Sequence, residues 1–445
     1  MADLGIDFGS SYCTVSWLNP QSGKPEAVKF NGDGSVKLPS VLLGTEDGFV
    51  LGFQAASYLD EVTKLPYDQR MEMTANFIPS LKRRLDPNMS EYFYGKEYSH
   101  LDLLKVFFRF LVEQAKLHCG SNYKIEKISF SHPVDFPHSK IQLIKQAIQE
   151  IGYNDVSSLF EPVAAIKGYG IDHKINQNEG ILVFDFGGGT TDVAFIKNIC
   201  GDLTVATPPK GNSTCGGQDI DNLLYENLRV KIKNEYQFDI SENGVIDHVI
   251  MSNCRRLKEK FSGGNDAYET LFLLFVNGKI YQYKYRLSRE TFNNIISPKV
   301  CEAVHVAKQV VEDVKKKNYS IDKVLLIGGS SQLKLVRELL SDAVDNCIID
   351  TCGEKDIAVA LGNIDYNYNV ISKYDVNKEE DKGEDDDKDH VDLEKGLADP
   401  VDMNRAILCP VCSSKQCYHY AKKRGYHCFA CGYDGPNVKV TRKTV

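Results

Sequence analysis

Two segments of the chain repeat one plan, and this repeat restricts the possible folds more than any other feature. The first segment, LGIDFGSSYCTV, covers residues 4–15, and the second, ILVFDFGGGTTDVAF, covers residues 181–195. Each begins with the apolar residues of a buried strand, passes through an aspartate, a phenylalanine and glycine, adds hydroxyl side chains, and enters a second strand. A strand–turn–strand unit that occurs twice predicts two similar lobes.

The turns of both segments are typical of phosphate binding. Glycine lets the backbone turn tightly and approach a ligand, and the exposed N–H groups can converge on an anion. Asp185 and Asp192 of the second segment would repel a phosphate, so they indicate a Mg²⁺ ion or an attacking water between carboxylate and phosphate. Taken alone, the second segment is equally compatible with a glycine-rich hairpin turn whose carboxylates are solvated.

A third glycine turn lies in LLIGGSSQLKLVRELL, residues 325–340, where it joins a strand to a helix. The N-terminus of that helix could hold a phosphate or pack against a nucleoside. The sequence contains no G-x-x-x-x-G-K-[ST] loop and no G-x-G-x-x-G motif behind a strand, which argues against P-loop and Rossmann sites. The three turns together predict two lobes that close over one nucleotide.

Composition and charge narrow the class of protein. The chain has 445 residues and a net charge of -8, so a general attraction to nucleic acid or anionic membrane is not expected. No secretory signal and no apolar run of about 20 residues is apparent, and we expect a cytoplasmic protein without a membrane partner. Of 13 cysteines, five lie in the last 40 residues, which is typical of metal ligation rather than of a disulfide framework.

The composition and charge of the sequence change twice along the chain. Up to about residue 363, strand-like runs alternate with helical patterns, of which the clearest are 101–118 and 138–152. Residues 375–402 hold thirteen acidic residues and four lysines and are predicted to form a solvated linker. Residues 403–445 have the opposite charge, with eight Lys or Arg and one Asp.

Between about residue 3 and residue 363 the chain contains an ordered series of short motifs. They are GIDFGSSY (5–12), LPSVL (38–42), GFQAA (52–56), LKRRL (81–85), FEPVAAIKGYG (160–170), FDFGGGTTDV (184–193), CGGQDID (215–221), IGGSS (327–331) and DIAVALG (356–362). This series resembles the actin-like ATPases, and specifically the heat-shock protein 70 family.

The resemblance implies an α/β protein with the two-lobed actin-like ATPase fold, built from duplicated ribonuclease-H-like lobes. Lobe I is expected at 1–174, lobe II at 175–352 and a return to lobe I at 353–374. The acidic linker at 375–402 and a small zinc ribbon at 403–445 would follow.

The resemblance also implies the cofactors ATP or ADP with Mg²⁺ and a role for each matched residue. Asp7 and Asp185 would orient waters around Mg²⁺, and Asp192 is a candidate proton acceptor. The other catalytic candidates are Lys82 (water positioning), Thr190 (γ-phosphate contact) and Glu161 (coupling of nucleotide state to the lobe interface). The nucleotide-binding candidates are Gly9, Ser10, Ser11, Tyr12, Gly187, Gly188, Gly189, Gly216, Gly217, Lys258, Ser262, Gly328, Gly329, Ser330 and Asp356. From spacing alone, Lys82 would instead be read as part of a solvated basic face.

Two departures from the family bear on function. In the segment CRRLKEKFS (254–262), Arg255 stands where the family has glutamate and Glu259 where some members have arginine, so a salt bridge could persist with its signs exchanged. In addition, residues 363–405 leave no room for the family's peptide-binding β-sandwich and helical lid.

We expect a slow ATPase that acts as a nucleotide-gated switch or accessory chaperone, with a J-domain co-chaperone or a nucleotide-exchange factor as possible partners.

Two other functions remain open from the sequence. A nucleotide-binding scaffold with little turnover would use its basic C-terminal region to recruit a partner. A sugar kinase of the same superfold is a more distant alternative, because the motifs match the chaperones.

The C-terminal cysteines have the spacing of a zinc ribbon. Cys409 and Cys412 form one C-x-x-C knuckle, and Cys428 and Cys431 form a second one fifteen residues later. A redox C-x-x-C pair is the alternative, and Cys417, His419 and His427 are possible substitute ligands. Aromatic and basic residues interleave between the knuckles, a pattern that suits RNA or ribosome binding but also an acidic protein partner or the chain's own linker.

Overall fold

The computed structural model describes most of the N-terminal 374 residues and, beyond them, only three short backbone strands. The described residues are 3–30, 34–62, 65, 69, 74–120, 122–240, 247–263, 266–276, 279–344, 347–351, 357–372, 374, 417–420, 425–428 and 434–436. The chain divides into two compact units, residues 1–377 and 378–445. The predicted acidic linker at 375–402 lies outside the described residues.

The first unit contains twenty strands and ten α-helices among its described residues. The strands are β1 (Leu4–Phe8), β2 (Tyr12–Asn19), β3 (Lys24–Ala27), β4 (Leu38–Pro39), β5 (Leu42–Thr45), β6 (Gly48–Leu51), β7 (Phe77–Ile78), β8 (Ser90–Phe93), β9 (Lys96–Ser99), β10 (Lys127–His132), β11 (Asp155–Phe160), β12 (Gly180–Phe186), β13 (Thr191–Ile199), β14 (Asp202–Val205), β15 (Lys210–Asn212), β16 (Ala267–Val276), β17 (Lys279–Ser288), β18 (Lys323–Ile327), β19 (Ile348–Thr351) and β20 (Val370–Ile371). The helices are α1 (Gly52–Val62), α2 (Leu81–Arg84), α3 (His100–Cys119), α4 (His138–Glu150), α5 (Glu161–Asp172), α6 (Gly217–Tyr236), α7 (His248–Phe261), α8 (Arg289–Lys316), α9 (Lys334–Ala343) and α10 (Ala358–Gly362).

The two predicted helices are present as α3 and α4, which bury their apolar faces in the core of the first lobe. The N-terminus of α3 is fixed by a capping box, in which the Ser99 hydroxyl accepts from the Asp102 N–H and the Asp102 carboxylate accepts from the Ser99 N–H. Gly152, which was predicted to end the second helix, follows α4 with a φ of +107°. At that angle a residue with a side chain would be strained.

Two sheets share one topology, which is the duplication that the repeated segments predict. The first sheet has the strand order β11-β10-β1-β2-β3, and the second has β19-β18-β12-β13-β14. In each sheet an antiparallel hairpin, β1–β2 or β12–β13, is followed by one more antiparallel strand and then by two parallel strands. The equivalence places the turn of β1–β2 and the turn of β12–β13 at corresponding positions of the two sheets.

Strand β12 explains why the second repeat begins with an unbroken apolar run. All seven of its residues are buried. Leu182 and Phe184 face a core made with α6, α7 and α8, whereas Ile181 and Val183 face a different core made with α5. A strand with a core on each side has no solvent face, so its side chains do not alternate in polarity.

The helices α5 and α10 cross at the contact between the lobes. Gly168 of α5 lies against the backbone carbonyl of Ala358, and Gly362 of α10 lies against the carbonyl of Ala164, with no room for a Cβ at either glycine. Helix α5 packs on the second sheet, and α10 reaches the first, where the Ser16 hydroxyl donates to the Ala360 carbonyl at 2.6 Å. The crossing thereby connects the first sheet to the second.

The segment predicted to return to lobe I is divided between the lobes. Helix α10 contacts β1 and β2, whereas β20 pairs in parallel with β14 and extends the second sheet, with Leu203 opposite Val370. In the second unit, β21 (Cys417–Tyr420), β22 (Gly425–Cys428) and β23 (Asp434–Pro436) form an antiparallel sheet. Across the described part of the chain, no helix has the length and apolar character needed to cross a bilayer.

Candidate nucleotide site

The turn of the first hairpin is held rigidly behind β1. Gly9 is required there, because a Cβ would collide with the carbonyl oxygen of Tyr12. Ser40, which is almost fully buried, donates its hydroxyl to the Gly9 carbonyl at 2.7 Å, and its N–H donates to the Ser11 carbonyl at 3.0 Å. These bonds satisfy the carbonyl groups of the turn.

The turn of the second hairpin is fixed by the N-terminus of α6. The Gly187 N–H donates to the Thr190 carbonyl at 3.0 Å, and the N–H groups of Gly217 and Gln218 donate to the carbonyls of Gly187 and Gly188. The predicted glycine pair at the start of α6 therefore supports the second turn from behind. Ser330, from the third glycine turn, donates its hydroxyl to the Gly187 carbonyl at 2.9 Å.

The two hairpin turns meet face to face. A Cβ on Gly188 would collide with the Ser11 hydroxyl, and a Cβ on Gly189 would collide with the Ser10 hydroxyl. Gln218 reaches from the second lobe to donate its side-chain amide to the Ser10 carbonyl at 3.2 Å. The glycine run is thus explained by the close approach of the first turn as well as by its own conformation.

A cavity of about 870 Å³ lies between the lobes and opens beside these turns. Its volume is within the range of small-molecule and cofactor sites. Most of the predicted site residues line it, namely Asp7, Gly9, Ser10, Ser11, Tyr12, Lys82, Glu161, Asp185, Gly187, Gly188, Gly189, Thr190, Lys258, Ser262, Gly328, Gly329 and Ser330.

Three predicted residues stand outside the cavity lining, and one cannot be placed. Asp192 lies behind Asp185 on the neighbouring strand. Gly216 and Gly217 lie against the backbone of the second turn, where the Gly217 N–H donates to the Gly187 carbonyl. Asp356 lies outside the described residues.

Lys82 and Glu161 form a buried ion pair on the floor of the cavity. The Lys82 Nζ lies 2.5 Å from the Glu161 Oε1, and the two residues are 4% and 7% exposed. Burial alone would lower the pKa of Lys82, but the charges of Glu161 and Asp7 and the hydrogen bond to Glu161 outweigh it and raise the pKa. The lysine therefore stays cationic. The solvated basic face that spacing alone suggested for Lys82 is wrong.

Three aspartates surround this pair and carry more negative charge than one lysine can neutralise. Burial, with the charge of Glu161 second, raises the pKa of Asp7 to about 7. The same two causes raise the pKa of Asp192 to about 7, against hydrogen bonds from Thr190 and the Val134 backbone. Burial, followed by Glu161 and Asp192, raises the pKa of Asp185 well above its usual value.

These carboxylates are not grouped closely enough to ligate a metal ion directly, so they fit a hydrated divalent cation held through its waters. Asp192 accepts from the Val134 N–H through Oδ1 at 2.6 Å, but its Oδ2 is buried without a partner. An unpaired buried carboxylate oxygen is costly, and a hydrated Mg²⁺ among several carboxylates would remove that cost. The donor set is made of carboxylates and hydroxyls, which magnesium prefers.

The third turn brings its backbone against this group. Gly328 has a φ of +79°, and a Cβ there would lie 2.5 Å from the Asp185 Oδ1 and from the Phe186 carbonyl oxygen. Gly329 begins a short 3-10 turn, Gly329–Gln332, that leads to α9. The first glycine is therefore required by both conformation and space, whereas the second has open space around it.

Arg255 and Glu259, whose charges are exchanged relative to the resemblance described above, lie on α7 and line the cavity. The Arg255 Nε lies 3.0 Å from the Glu259 Oε1, so the salt bridge is present with its signs reversed. The Arg255 guanidinium also lies over the Tyr12 ring, 4.6 Å from its centre, and links the two lobes. Lys258 is committed to the second lobe, where its Nζ donates to the Gly217 carbonyl at 2.8 Å and to Asp221 at 3.0 Å.

Several lining residues were not predicted from the sequence. They are Thr14, Ser35, Val36, Lys37, Phe53, Arg255, Glu259, Ile327, Gln332, Leu333, Ile357 and Val359. Most lie on strands or loops whose side chains have no chemical signature in the sequence. Thr14 was recoverable, because the repeat aligns it with Asp192.

The predicted zinc ligands cannot be assessed geometrically. Cys409, Cys412 and Cys431 lie outside the described residues, and Cys428 is described only as part of the backbone of β22. Within the described ranges, no three His, Cys, Asp or Glu side chains are grouped closely enough to hold a metal ion.

Comparison with known proteins identifies the family. The sequence matches the Hsp70 protein family over residues 3–364. The chain belongs to the Hsp70 family. It is 27% identical over 338 residues to the chaperone protein DnaK of Mycoplasma mobile, covering 76% of this chain and 53% of that protein. It is also 27% identical over 347 residues to the chaperone protein DnaK of Ureaplasma urealyticum, covering 76% of this chain and 54% of that protein.

The match agrees with the mixed α/β architecture and with the motif resemblance. It supports a chaperone or ATPase type of function in general, with ATP or ADP and Mg²⁺ as the ligands that the family implies. The chain spans about half the length of the curated relatives it matches.

Proposed function

We propose that this chain binds ATP and ADP with Mg²⁺ in the interlobe cavity and hydrolyses ATP slowly, as a nucleotide-gated switch or accessory chaperone. One observation carries the proposal. A buried Lys82–Glu161 pair and the carboxylates Asp7 and Asp185 converge where two glycine turns from different lobes meet. Phosphoryl transfer needs positioned groups and neutralised charge rather than a covalent nucleophile, and this arrangement provides both.

Each group has one task in this proposal. The N–H and hydroxyl groups of the two turns bind the phosphates, and Thr190 contacts the terminal one. Lys82 stays protonated and orients a water for attack, while Glu161 holds Lys82 in place. Asp192, whose pKa of about 7 lets it exchange a proton near neutral pH, accepts the proton of that water. Bound Mg²⁺ would supply charge neutralisation on the phosphate oxygens.

Nucleotide binding and turnover test the proposal separately. Isothermal titration should show that ADP binds more tightly with Mg²⁺ than with EDTA. Single-turnover assays with radiolabelled ATP should show slow release of phosphate. Binding without any turnover would favour the second function, a nucleotide-binding scaffold. Failure to bind ATP or ADP under either condition would rule out both.

The exchange at Arg255 and Glu259 is the observation that favours the scaffold. It changes the charges on the cavity wall where the family contacts adenosine, without changing the residues at the phosphate turns. Weak adenosine contacts would lower occupancy and turnover together. The turnover rate at saturating ATP, where weak binding no longer limits occupancy, therefore distinguishes a working switch from a scaffold.

We further propose that the 445-residue chain does not clamp extended peptides in a nucleotide-dependent way. The support is that residues 363–405 are too few, and too acidic, for a β-sandwich with a lid. Fluorescence anisotropy with apolar peptides should show no binding that changes between ATP and ADP. Micromolar binding that weakens with ATP would contradict this and indicate a peptide site on the lobes.

The C-terminal region is proposed to be a zinc ribbon that docks on RNA, the ribosome or an acidic protein in the cytoplasm. The cysteine spacing supports the metal, and the antiparallel pairing of β21 with β22, which lie between Cys412 and Cys431 in the sequence, is compatible with it. Four thiolates would make the site structural. Metal analysis should find one zinc per chain, and partner binding should weaken with salt and depend on residues 403–445. A J-domain protein and a nucleotide-exchange factor remain possible partners by family.

A further inference from the structure

Thr14 has a buried hydroxyl that faces the cavity and has no partner. The residue is 2% exposed and lies on β2, three residues after the first turn. It lines the cavity together with Asp7, and its Oγ1 makes no hydrogen bond in the structure. Most buried polar side chains in proteins are bonded, so one that is not, beside a ligand site, points to a partner that binds there.

The duplication gives this hydroxyl a counterpart. In the first sheet, Asp7 is paired directly with Thr14, and in the second sheet Asp185 is paired directly with Asp192. Directly opposed residues of an antiparallel pair point to the same face of the sheet, with Cβ atoms about 5 Å apart. Thr14 therefore occupies in the first lobe the place that Asp192 occupies in the second, and both carry an unpartnered buried oxygen.

We propose that Thr14 is a positioning residue for the hydrated cation: its Oγ1 accepts a hydrogen bond from a water of the ion's inner shell on the first-lobe side. This inference rests on the proposed function. A water bound to a metal ion donates hydrogen bonds and has little capacity left to accept them. Its protein partners must therefore be acceptors, and a threonine hydroxyl has two acceptor lone pairs and one proton to pass on.

The choice of a hydroxyl instead of a carboxylate also has a physical reason. The site already holds Asp7, Asp185, Asp192 and Glu161 against Lys82, and burial has raised the pKa of each of the three aspartates. Another carboxylate at position 14 would add repulsion in a buried site. The hydroxyl supplies an acceptor without adding charge.

Ser131 provides a matched control. It lies on β10, beside Asp7 on the other flank, in register with it, and it is 1% exposed with a buried Oγ that also lacks a partner. It does not belong to the cavity lining. The two hydroxyls are therefore alike in burial and in their relation to Asp7, and they differ in access to the cavity.

The experiment measures the coupling between Mg²⁺ and ADP in the full chain. ADP affinity is determined by isothermal titration with Mg²⁺ and with EDTA for the wild type, Thr14→Val, Thr14→Ser and Ser131→Ala. We expect Thr14→Val to reduce the Mg²⁺-dependent gain in affinity by roughly tenfold, which is typical of losing one hydrogen bond to a charged group. Affinity in EDTA should stay the same, and Thr14→Ser and Ser131→Ala should resemble the wild type.

Thermal unfolding without nucleotide separates this role from a structural one. Valine has nearly the shape of threonine and removes an unsatisfied polar atom, so Thr14→Val should unfold at the same temperature as the wild type or higher. A lower melting temperature with weaker binding in EDTA would make the hydroxyl structural and overturn the inference.

Unchanged Mg²⁺ coupling in Thr14→Val would also overturn the inference, as would an equal loss in Ser131→Ala. A wild-type chain that binds ADP equally with and without Mg²⁺ would instead contradict the proposed function itself.

Discussion

The two hairpins of the repeat have the same backbone and different chemistry. In the first lobe, Asp7 is flanked by the hydroxyls of Thr14 and Ser131, whereas in the second lobe Asp185 is flanked by Asp192 and by the apolar Ile327. The first hairpin thus contributes one carboxylate to the site, and the second contributes two.

Other residues of the first lobe add a second carboxylate and a positive charge to the site. Lys82 comes from α2 and Glu161 from the N-terminus of α5, and both elements belong to the part of the chain predicted as lobe I. The second lobe places its own cations on the described cavity lining, Arg255 and Lys258, but both lie on α7. A duplicated framework therefore holds an asymmetric site, in which the first lobe provides Asp7, Glu161 and the cation Lys82, and the second provides Asp185 and Asp192.

The largest expected effect comes from removing Lys82, the buried cation that the first lobe places among the carboxylates. Lys82→Ala should slow single-turnover hydrolysis about 100-fold or more, because the attacking water loses its positioning group. It should also lower the free energy of unfolding by about 3–5 kcal/mol, since Glu161 is left buried without its partner. Quenched-flow hydrolysis and urea denaturation measure the two effects.

Two further variants separate catalysis from stability in this prediction. Lys82→Met combined with Glu161→Gln removes both charges and should recover much of the stability without recovering turnover. Arg84→Ala, in the same helix, removes an exposed pair with Glu91 and should cost about 0.5 kcal/mol or less. Full activity in the double variant would assign the water-positioning role to another group.

The next effect tests the glycine that approaches Asp185 in the second lobe. Gly328→Ala should lower the free energy of unfolding by about 1–3 kcal/mol, because its backbone conformation suits only glycine and its Cβ would press on the Asp185 carboxylate. Gly329→Ala is the matched control, since a Cβ there meets nothing within 4 Å. Equal stability losses, measured by denaturation without nucleotide, would show that the close approach carries no cost.

The buried carboxylate of Asp192 in the second lobe predicts an unusual pH dependence. The pKa of Asp192 is about 7 in the folded protein, against a usual value of 3.8. Between these values the folded chain keeps a proton that the unfolded chain has lost, so its contribution to stability falls as pH rises and is gone above about 7. Each pH unit in this window costs up to about 1.4 kcal/mol for one such carboxyl.

This pH dependence is tested by thermal unfolding of the wild type and of Asp192→Asn from pH 5 to pH 8, without nucleotide. Asparagine retains an acceptor for the Val134 N–H and does not titrate. The variant should therefore lose less stability than the wild type as pH rises. Parallel curves for the two proteins would mean that Asp192 is already ionised in the folded state.

The sequence was sufficient to predict the α/β architecture of the first unit and most of the residues that the structure brings together at the cavity. The repeat predicted two lobes because an apolar strand, an aspartate and a glycine turn have local signatures, and β1–β2 and β12–β13 lie where expected. The ion pair of Lys82 with Glu161 was beyond sequence reasoning without the family, since the two residues are 79 positions apart and meet only in the folded chain.

Thr14 was missed for a different reason. A threonine in a strand is a common residue with no chemical signature of its own, and only the alignment of the two repeats, which sets it at the position of Asp192, could have singled it out. The path of β20 was also not predictable, because two residues that extend a sheet edge leave no periodic pattern.

The smallest expected effect concerns the exchanged charges on α7. An arginine that precedes a glutamate by four residues pairs less favourably with the helix dipole than the reverse order does, and the difference is a few tenths of a kcal/mol. Arg255→Glu combined with Glu259→Arg would restore the order of the family, but it would also remove the guanidinium from the Tyr12 ring, a contact worth about 0.5–1 kcal/mol. The two changes nearly cancel, so the stability of the double variant should stay within about 0.5 kcal/mol of the wild type. If the exchange is what weakens adenosine contacts, the double variant should bind ATP about threefold more tightly while its affinity for inorganic phosphate is unchanged, as measured by titration calorimetry. Weaker ATP binding would instead show that the Arg255–Tyr12 contact between the lobes matters more than the order of charges, and Tyr12→Leu should then reproduce that loss.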